Sequence, residues 1–160
     1  MRNILIPTDF TIASLQLIEY ALLNFPNTKL NIVLIAGFTL PDTRWTIFHF
    51  NEREQIRKQI SEEFNEAKRL IVREHKEVIE NITFQLFTGV NSFAFQNFLQ
   101  QHEVTDAVIP KSNSIQYPSR KFFDTTKFIK KNVKNAIEVP VEFTEEAPQK
   151  KYSLISLFNL

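Results

Sequence analysis

Apolar positions along this 160-residue chain take two alternating forms: short unbroken runs, and longer stretches in which they recur every three or four residues. The unbroken run at Asn3–Pro7 predicts a strand covered on both faces, as parallel sheets require, and Leu30–Ala36, rich in β-branched residues, predicts a second strand. Thr11–Phe25 follows the first as a helix, with Leu15, Ile18, Ala21, Leu22 and Phe25 on one face. Phe38–Phe50, "FTLPDTRWTIFHF", has no clean period and reads as a loop with packed aromatics. Asn51 then stands as an N-cap with Glu54 three residues on. It predicts one long helix over Glu52–Glu80, with Ile56, Ile60, Phe64, Ala67, Ile71 and Val78 along its stripe. A third strand is expected over Ile82–Thr88, ended by Gly89. A third helix over Asn91–His102 would pack through Phe93, Phe95, Phe98 and Leu99. Ala107–Pro110 predicts a fourth strand, Thr125–Ala136 a basic helix and Val139–Phe143 a fifth strand.

Each parallel connection needs a crossover, and helices supply it. The expected fold class is therefore α/β: a single open, doubly wound, mostly parallel five-stranded sheet with helices on both faces. One domain is expected over residues 1–143. Residues 144–160 form an extension, linker-like in "EEAPQKK" and too apolar to be left in water over Tyr152–Leu160.

Composition narrows the chemistry. There are no cysteines, which excludes disulfides, thiolate metal sites and cysteine nucleophiles. The formal charge of +1 points neither to nucleic acid nor to an acidic surface. No stretch is apolar for the length of a membrane span, and the N-terminus lacks a signal-peptide layout, so a cytoplasmic protein is expected. His49, His75 and His102 lie on separate elements without metal-ligand spacing. Arg120, Lys121, Lys127, Lys130, Lys131 and Lys134 cluster. They read either as an anion-binding face or as the solvated side of a helix whose last lysines complement its dipole. No nucleophile with a base and no carboxylate pair is placed for acid–base work, so no enzyme is expected. Only two glycines, Gly37 and Gly89, occur among 160 residues, which leaves little for a backbone phosphate cradle.

"ILIPTDFTIASLQLIEYAL" resembles the opening of universal stress proteins, and Gly89 after the third strand, "TDAVIP" and "VPVEF" agree with that family in element order over Met1–Phe143. Nucleotide-binding members carry G-x2-G-x9-G-[S/T] after the fourth strand. The glycines let backbone wrap the phosphates, and the last pair opens a helix whose amides hold the anion. Here the matching positions are Lys111, Ser114, Asp124 and Thr125: the spacing survives and every glycine is gone. Asp124 stands where a helix begins, so its carboxylate can take the free amides and meets an arriving phosphate with like charge. Asp9 matches the aspartate that lies by the nucleoside in ATP-binding members. Its other reading is local, as a cap on the first helix.

What the resemblance implies is a regulatory or interaction protein of the stress response. It would be a homodimer through Val139, Val141 and Phe143 of the last strand, with a degenerate nucleotide site, no cofactor and an unknown protein partner. The apolar tail and the Trp45–Phe50 loop would either enlarge such an interface or cover the chain's own core. The alternative is a nucleotide switch, binding ATP or AMP at Asp9, Lys111, Ser114 and Thr125 with basic residues replacing glycine amides. A third possibility is a small-molecule site at the switch point, shaped by Phe10, Phe38, Trp45 and Tyr117.

Overall fold

A computed structural model describes residues 1–41, 43, 48–111 and 114–140. Its strands are β1 (Arg2–Pro7), β2 (Leu30–Phe38), β3 (Ile79–Phe87), β4 (Asp106–Pro110), β5 (Phe122–Phe123) and β6 (Ala136–Val139). Its helices are α1 (Gln16–Asn24), α2 (Glu52–Gln59), α3 (Glu62–Glu74), α4 (Ser92–Gln101) and α5 (Thr126–Asn132), with a 3-10 turn over Ile12–Leu15. Five strands run parallel in the order β3-β2-β1-β4-β6, and β5 adds to β2 antiparallel. The order reverses direction between β1 and β4, which makes their C-terminal ends the topological switch point.

Both faces of the sheet are covered, as its unbroken apolar strands require. On one, Ile4, Ile6, Ile32 and Leu34 pack against Leu17, Ile18 and Ala21 of α1 and Phe64, Ala67 and Ile71 of α3. On the other, Leu5, Val33, Ile35 and Ile109 meet Phe95 and Phe98 of α4 and Ile129 of α5. At the base of the sheet, Asp106 opens β4 and accepts from the Arg2 guanidinium at 3.2 and 2.9 Å and from the Asn135 amide. Burial pushes its carboxyl up, but the hydrogen bonds from Asn135, Thr105 and Arg2, with the Arg2 charge, outweigh it and hold the carboxyl below its ordinary value. The acidic residue before the fourth strand is thus a structural tie between β1, β4 and the lead-in to β6.

Three expectations need correction. The helix expected over Glu52–Glu80 is two helices and the start of a strand. Ile60 is extended and Ser61 caps a new helix, its hydroxyl accepting from the Phe64 amide at 3.1 Å. Ser61 with Glu62 and Glu63 was a helix-start signal that the continuous apolar stripe concealed. The edge strand accordingly begins at Ile79 rather than Ile82. The closing strand begins at Ala136 rather than Val139, because α5 ends earlier, at Asn132. Val141, Phe143 and the tail 144–160 lie outside the described residues, as does Trp45. The two-residue β5 was not expected at all.

β5 explains one of the two glycines. Gly37 pairs with Phe123, and a Cβ there would run into the Phe123 ring. Gly37→Ala is therefore expected to cost about 1–3 kcal/mol by overpacking, read as a lower urea midpoint with unchanged m-value. Wild-type stability would show that β5 does not seat where described. A second prediction concerns Glu19 on α1, a half-buried carboxyl that burial pushes up to about 7 from its ordinary 4.5. The folded pKa lies above the unfolded one, so the protonated form stabilises the fold. That contribution is complete below 4.5 and is lost as pH rises through about 7. Thermal melts should show Glu19→Gln gaining on the wild type between pH 5 and 8; a constant difference would refute the shift.

Candidate functional site

The C-terminal ends of β1 and β4 carry the residues singled out by sequence, and the chain leaves β1 through a tight polar turn. Thr8 is buried, and its hydroxyl accepts from the Phe10 amide at 3.1 Å and lies 2.9 Å from the Ser14 hydroxyl. Phe10 takes a left-handed backbone conformation, φ 65°, which is strained for a residue with a bulky Cβ substituent. The strain is held by its ring, which lies among Phe84, Tyr117 and Phe122 at centroid distances of 6.3, 6.3 and 5.6 Å.

Asp9 is 7% exposed. Its Oδ1 accepts from the Thr11 amide at 3.1 Å and from the Thr11 hydroxyl. Thr11, in turn, caps the 3-10 turn by accepting from the Ser14 amide at 3.2 Å. The local reading of Asp9 is therefore corrected by two residues: Thr11 is the cap, and Asp9 holds it. Its other oxygen, Oδ2, accepts from the Gln116 amide at 3.4 Å, 107 residues along the chain. Burial pushes the Asp9 carboxyl up, and the Thr11 and Gln116 hydrogen bonds partly oppose this.

Gln116 belongs to the segment between β4 and α5, which crosses the top of β1. The Tyr117 hydroxyl donates to the Thr8 carbonyl. Burial, then the nearby Asp124 and Asp9, push this phenol well above its ordinary value, so it stays a donor at any physiological pH. Ile115 and Phe122 are buried, at 6% exposure each. Tyr117 stacks on Phe122 at 5.5 Å, and Phe122 meets Phe38 edge-on at 5.1 Å. Thr39 donates its amide to Lys121 at 2.7 Å, extending the β5–β2 pairing. The space above the end of β1 is thus occupied by the chain's own Tyr117 and Phe122.

The phosphate-loop positions divide. Lys111 is exposed at the end of β4, its amide donating to the Val139 carbonyl at 2.8 Å, so it serves the β4–β6 ladder. Ser114 is partly buried at the start of the crossing segment. Asp124 Oδ1 accepts from the Thr126 amide at 2.9 Å and the Thr126 hydroxyl at 2.6 Å. The first amide of α5 is thereby taken by an internal carboxylate. Thr125 is fully buried, and its Oγ1 has no hydrogen-bond partner among the described residues. The structure brings Asp9 together with Gln116 and Tyr117, and it does not bring Lys111 to them. Sequence reasoning placed Tyr117 and Phe38 at the switch point but missed Ile115, Gln116 and Phe122. The available signal was the aromatic density of "YPSRKFF" in a segment with no period.

Among the described residues no group of three His, Cys, Asp or Glu could hold a metal ion. No described helix is long and apolar enough to cross a membrane.

No family model matches the chain, and no curated protein matches it in sequence. In structure this chain is similar to universal stress proteins. The universal stress protein UspA from Lactobacillus plantarum aligns over 86% of this chain and 97% of its own, with 18% identity and a TM-score of 0.49. A protein of the universal stress protein family from Burkholderia pseudomallei aligns over 87% and 96%, with 10% identity and a TM-score of 0.47. A universal stress protein in complex with cAMP aligns over 88% and 98%, with 14% identity and a TM-score of 0.48. The fold class stated above rests on this chain's own strand order and register.

Tyr117→Phe tests the closure of the crevice. Loss of one hydrogen bond to a buried carbonyl is expected to cost about 1–3 kcal/mol. It should also speed hydrogen exchange at the Gln116 amide while leaving the β2 amides unchanged. Unaltered exchange at Gln116 would mean that Tyr117 does not hold the segment down.

Proposed function

We propose that this is a universal-stress-protein-like regulatory or interaction protein, non-catalytic, homodimeric through the β6 edge, and not a binder of ATP. The observation that carries the reading is the crevice at the switch point, filled by the segment that follows β4. A nucleotide seated above β1 requires that segment to leave. Re-exposing Ile115, Tyr117 and Phe122 costs roughly 1.5–3 kcal/mol for each side chain. A penalty of even about 5 kcal/mol weakens a micromolar site past the millimolar range. Asp9 adds to this, since both of its oxygens already accept hydrogen bonds.

A second reading is favoured by one observation: the buried Thr125 hydroxyl without a partner, at the position where the resemblance puts a phosphate-contacting Ser or Thr. In that reading the chain is a nucleotide switch, with Asp9, Lys111, Ser114 and Thr125 as the ligand set. The cAMP complex named above is a property of that other protein and raises cyclic or adenine nucleotides as ligands worth including.

Calorimetric titration with ATP and Mg²⁺, AMP and cAMP at physiological salt decides between them. The expected result is no heat and no thermal stabilisation at millimolar nucleotide, with a dimer by sedimentation equilibrium. Micromolar binding abolished by Asp9→Ala would overturn the proposal in favour of the switch.

A further inference from the structure

β3 is the outer strand of the parallel sheet, nine residues long, and among the described residues it pairs only with β2. Alternate residues of an edge strand turn their backbone groups away from the sheet. Leu86 is one of these, because its amide donates outward to Glu52 Oε1 at 2.6 Å. By that alternation, Phe84 and Ile82 present theirs on the same side. Glu52 is the first residue of α2, so α2 starts at the C-terminal end of β3. Ile56 and Ile60 then line an open groove of about 280 Å³ with Phe84, Asn65, Arg53 and Arg57.

The groove has an apolar floor and a cationic rim. Ile56 is buried and Ile60 and Phe84 are partly so, while Arg53 and Arg57 are exposed. Neighbouring acidic groups are engaged elsewhere: Glu54 with Lys58, Glu66 with Arg69, and Glu52 with the Leu86 amide. Among the described residues neither Arg53 nor Arg57 forms an ion pair. Lys68 places a third cation over the Phe84 ring, 5.2 Å from its centroid. Arg53 and Arg57 stand one helical turn apart, a rise of about 6 Å. Same-face residues of a strand repeat at about 6.7 Å. Carboxylates two apart on an added strand therefore match the two guanidiniums, with their methylene stems over Ile60 and Phe84, while the intervening apolar residues turn to the opposite face of the sheet.

We propose that the β3 edge, with the groove between it and α2, binds an extended acidic segment of a partner protein, alternating acidic and apolar residues, by strand addition. Glu52 on the Leu86 amide already makes one such carboxylate-to-edge contact from within the chain. The site lies apart from the switch point and does not depend on whether that crevice takes a nucleotide, so nucleotide calorimetry and the experiment below fail independently.

The test uses the full chain and a fluorescein-labelled peptide, Glu-Val-Glu-Ile-Glu-Val-Glu, followed by anisotropy and amide NMR. Saturable binding is expected, with shifts confined to Ile82, Phe84 and α2. Arg53→Gln/Arg57→Gln should weaken it at least tenfold, and so should N-methylation of alternate peptide amides. Hydrogen exchange at Ile82 and Phe84 in the free chain should be fast. No binding at millimolar peptide, or binding indifferent to N-methylation, would overturn the proposal. Slow exchange in the free chain would also overturn it: if independent of concentration, the edge is covered by the chain's own 141–160 segment, and if dependent, by a second copy.

Discussion

Gly37 and Phe123 share a space that only one side chain can fill, and the upper half of the molecule depends on which one fills it. Because Gly37 has no Cβ, the Phe123 ring lies over the backbone of β2 and β5 can pair with Gly37–Phe38. That pairing fixes one end of the segment after β4. The other end follows β4 itself, whose next amide, on Lys111, joins the β4–β6 ladder. Held at both ends, the segment crosses above β1, where Asp9 accepts the Gln116 amide and the Thr8 carbonyl accepts the Tyr117 hydroxyl. In a parallel sheet this crossing point is where a ligand would otherwise lie. The same contacts that stabilise the fold therefore decide what the crevice can accept.

The phenylalanines make this closure durable. Phe10, Phe38, Phe84 and Phe122 form a third apolar cluster beyond the two that cover the faces of the sheet. Its rings meet edge-on or offset at 5.1–6.3 Å, arrangements that add to the gain from burial alone. This cluster also compensates the left-handed backbone of Phe10, whose ring reaches Tyr117 and Phe122 because of that turn. A polar ligand site and a packed aromatic cluster are competing uses of the same space, and Phe10, Phe38, Phe84 and Phe122 pack together there.

With the switch point closed, the margins of the sheet gain importance. They differ in chemistry. At the β6 margin, Val139 is buried within the chain and Lys130 pairs with Glu138 at 2.7 Å. At the β3 margin two arginines, without acidic partners among the described residues, stand beside apolar surface and outward-turned amides. An exposed edge strand of nine residues is an aggregation hazard unless something manages it. Among the described residues two internal devices are visible: Glu52 on Leu86, and the register shift opposite Leu30–Asn31 that leaves Glu80 as an extra residue of β3.

Much of the architecture was legible in the sequence, because burial on both faces of a parallel sheet imposes unbroken apolar runs and the intervening helices impose their own period. Asn3–Pro7, Leu30–Ala36 and Ala107–Pro110 declared themselves for that reason, and the alternation of elements pointed to the α/β class. The scarcity of glycine was equally readable, since no other residue lacks a Cβ. Local capping competed with periodicity less visibly: Ser61 interrupts a stripe of apolar residues that by itself continues. Only the tertiary structure decided the fate of the candidate site. Asp9 could cap, bind or bridge, and its partner Gln116 lies 107 residues away. Whether Tyr117 and Phe122 line a crevice or fill it depends on the pairing of a two-residue strand too short to leave a pattern. Such pairings are set by the room beside Gly37, a property of the folded chain and not of any stretch of it.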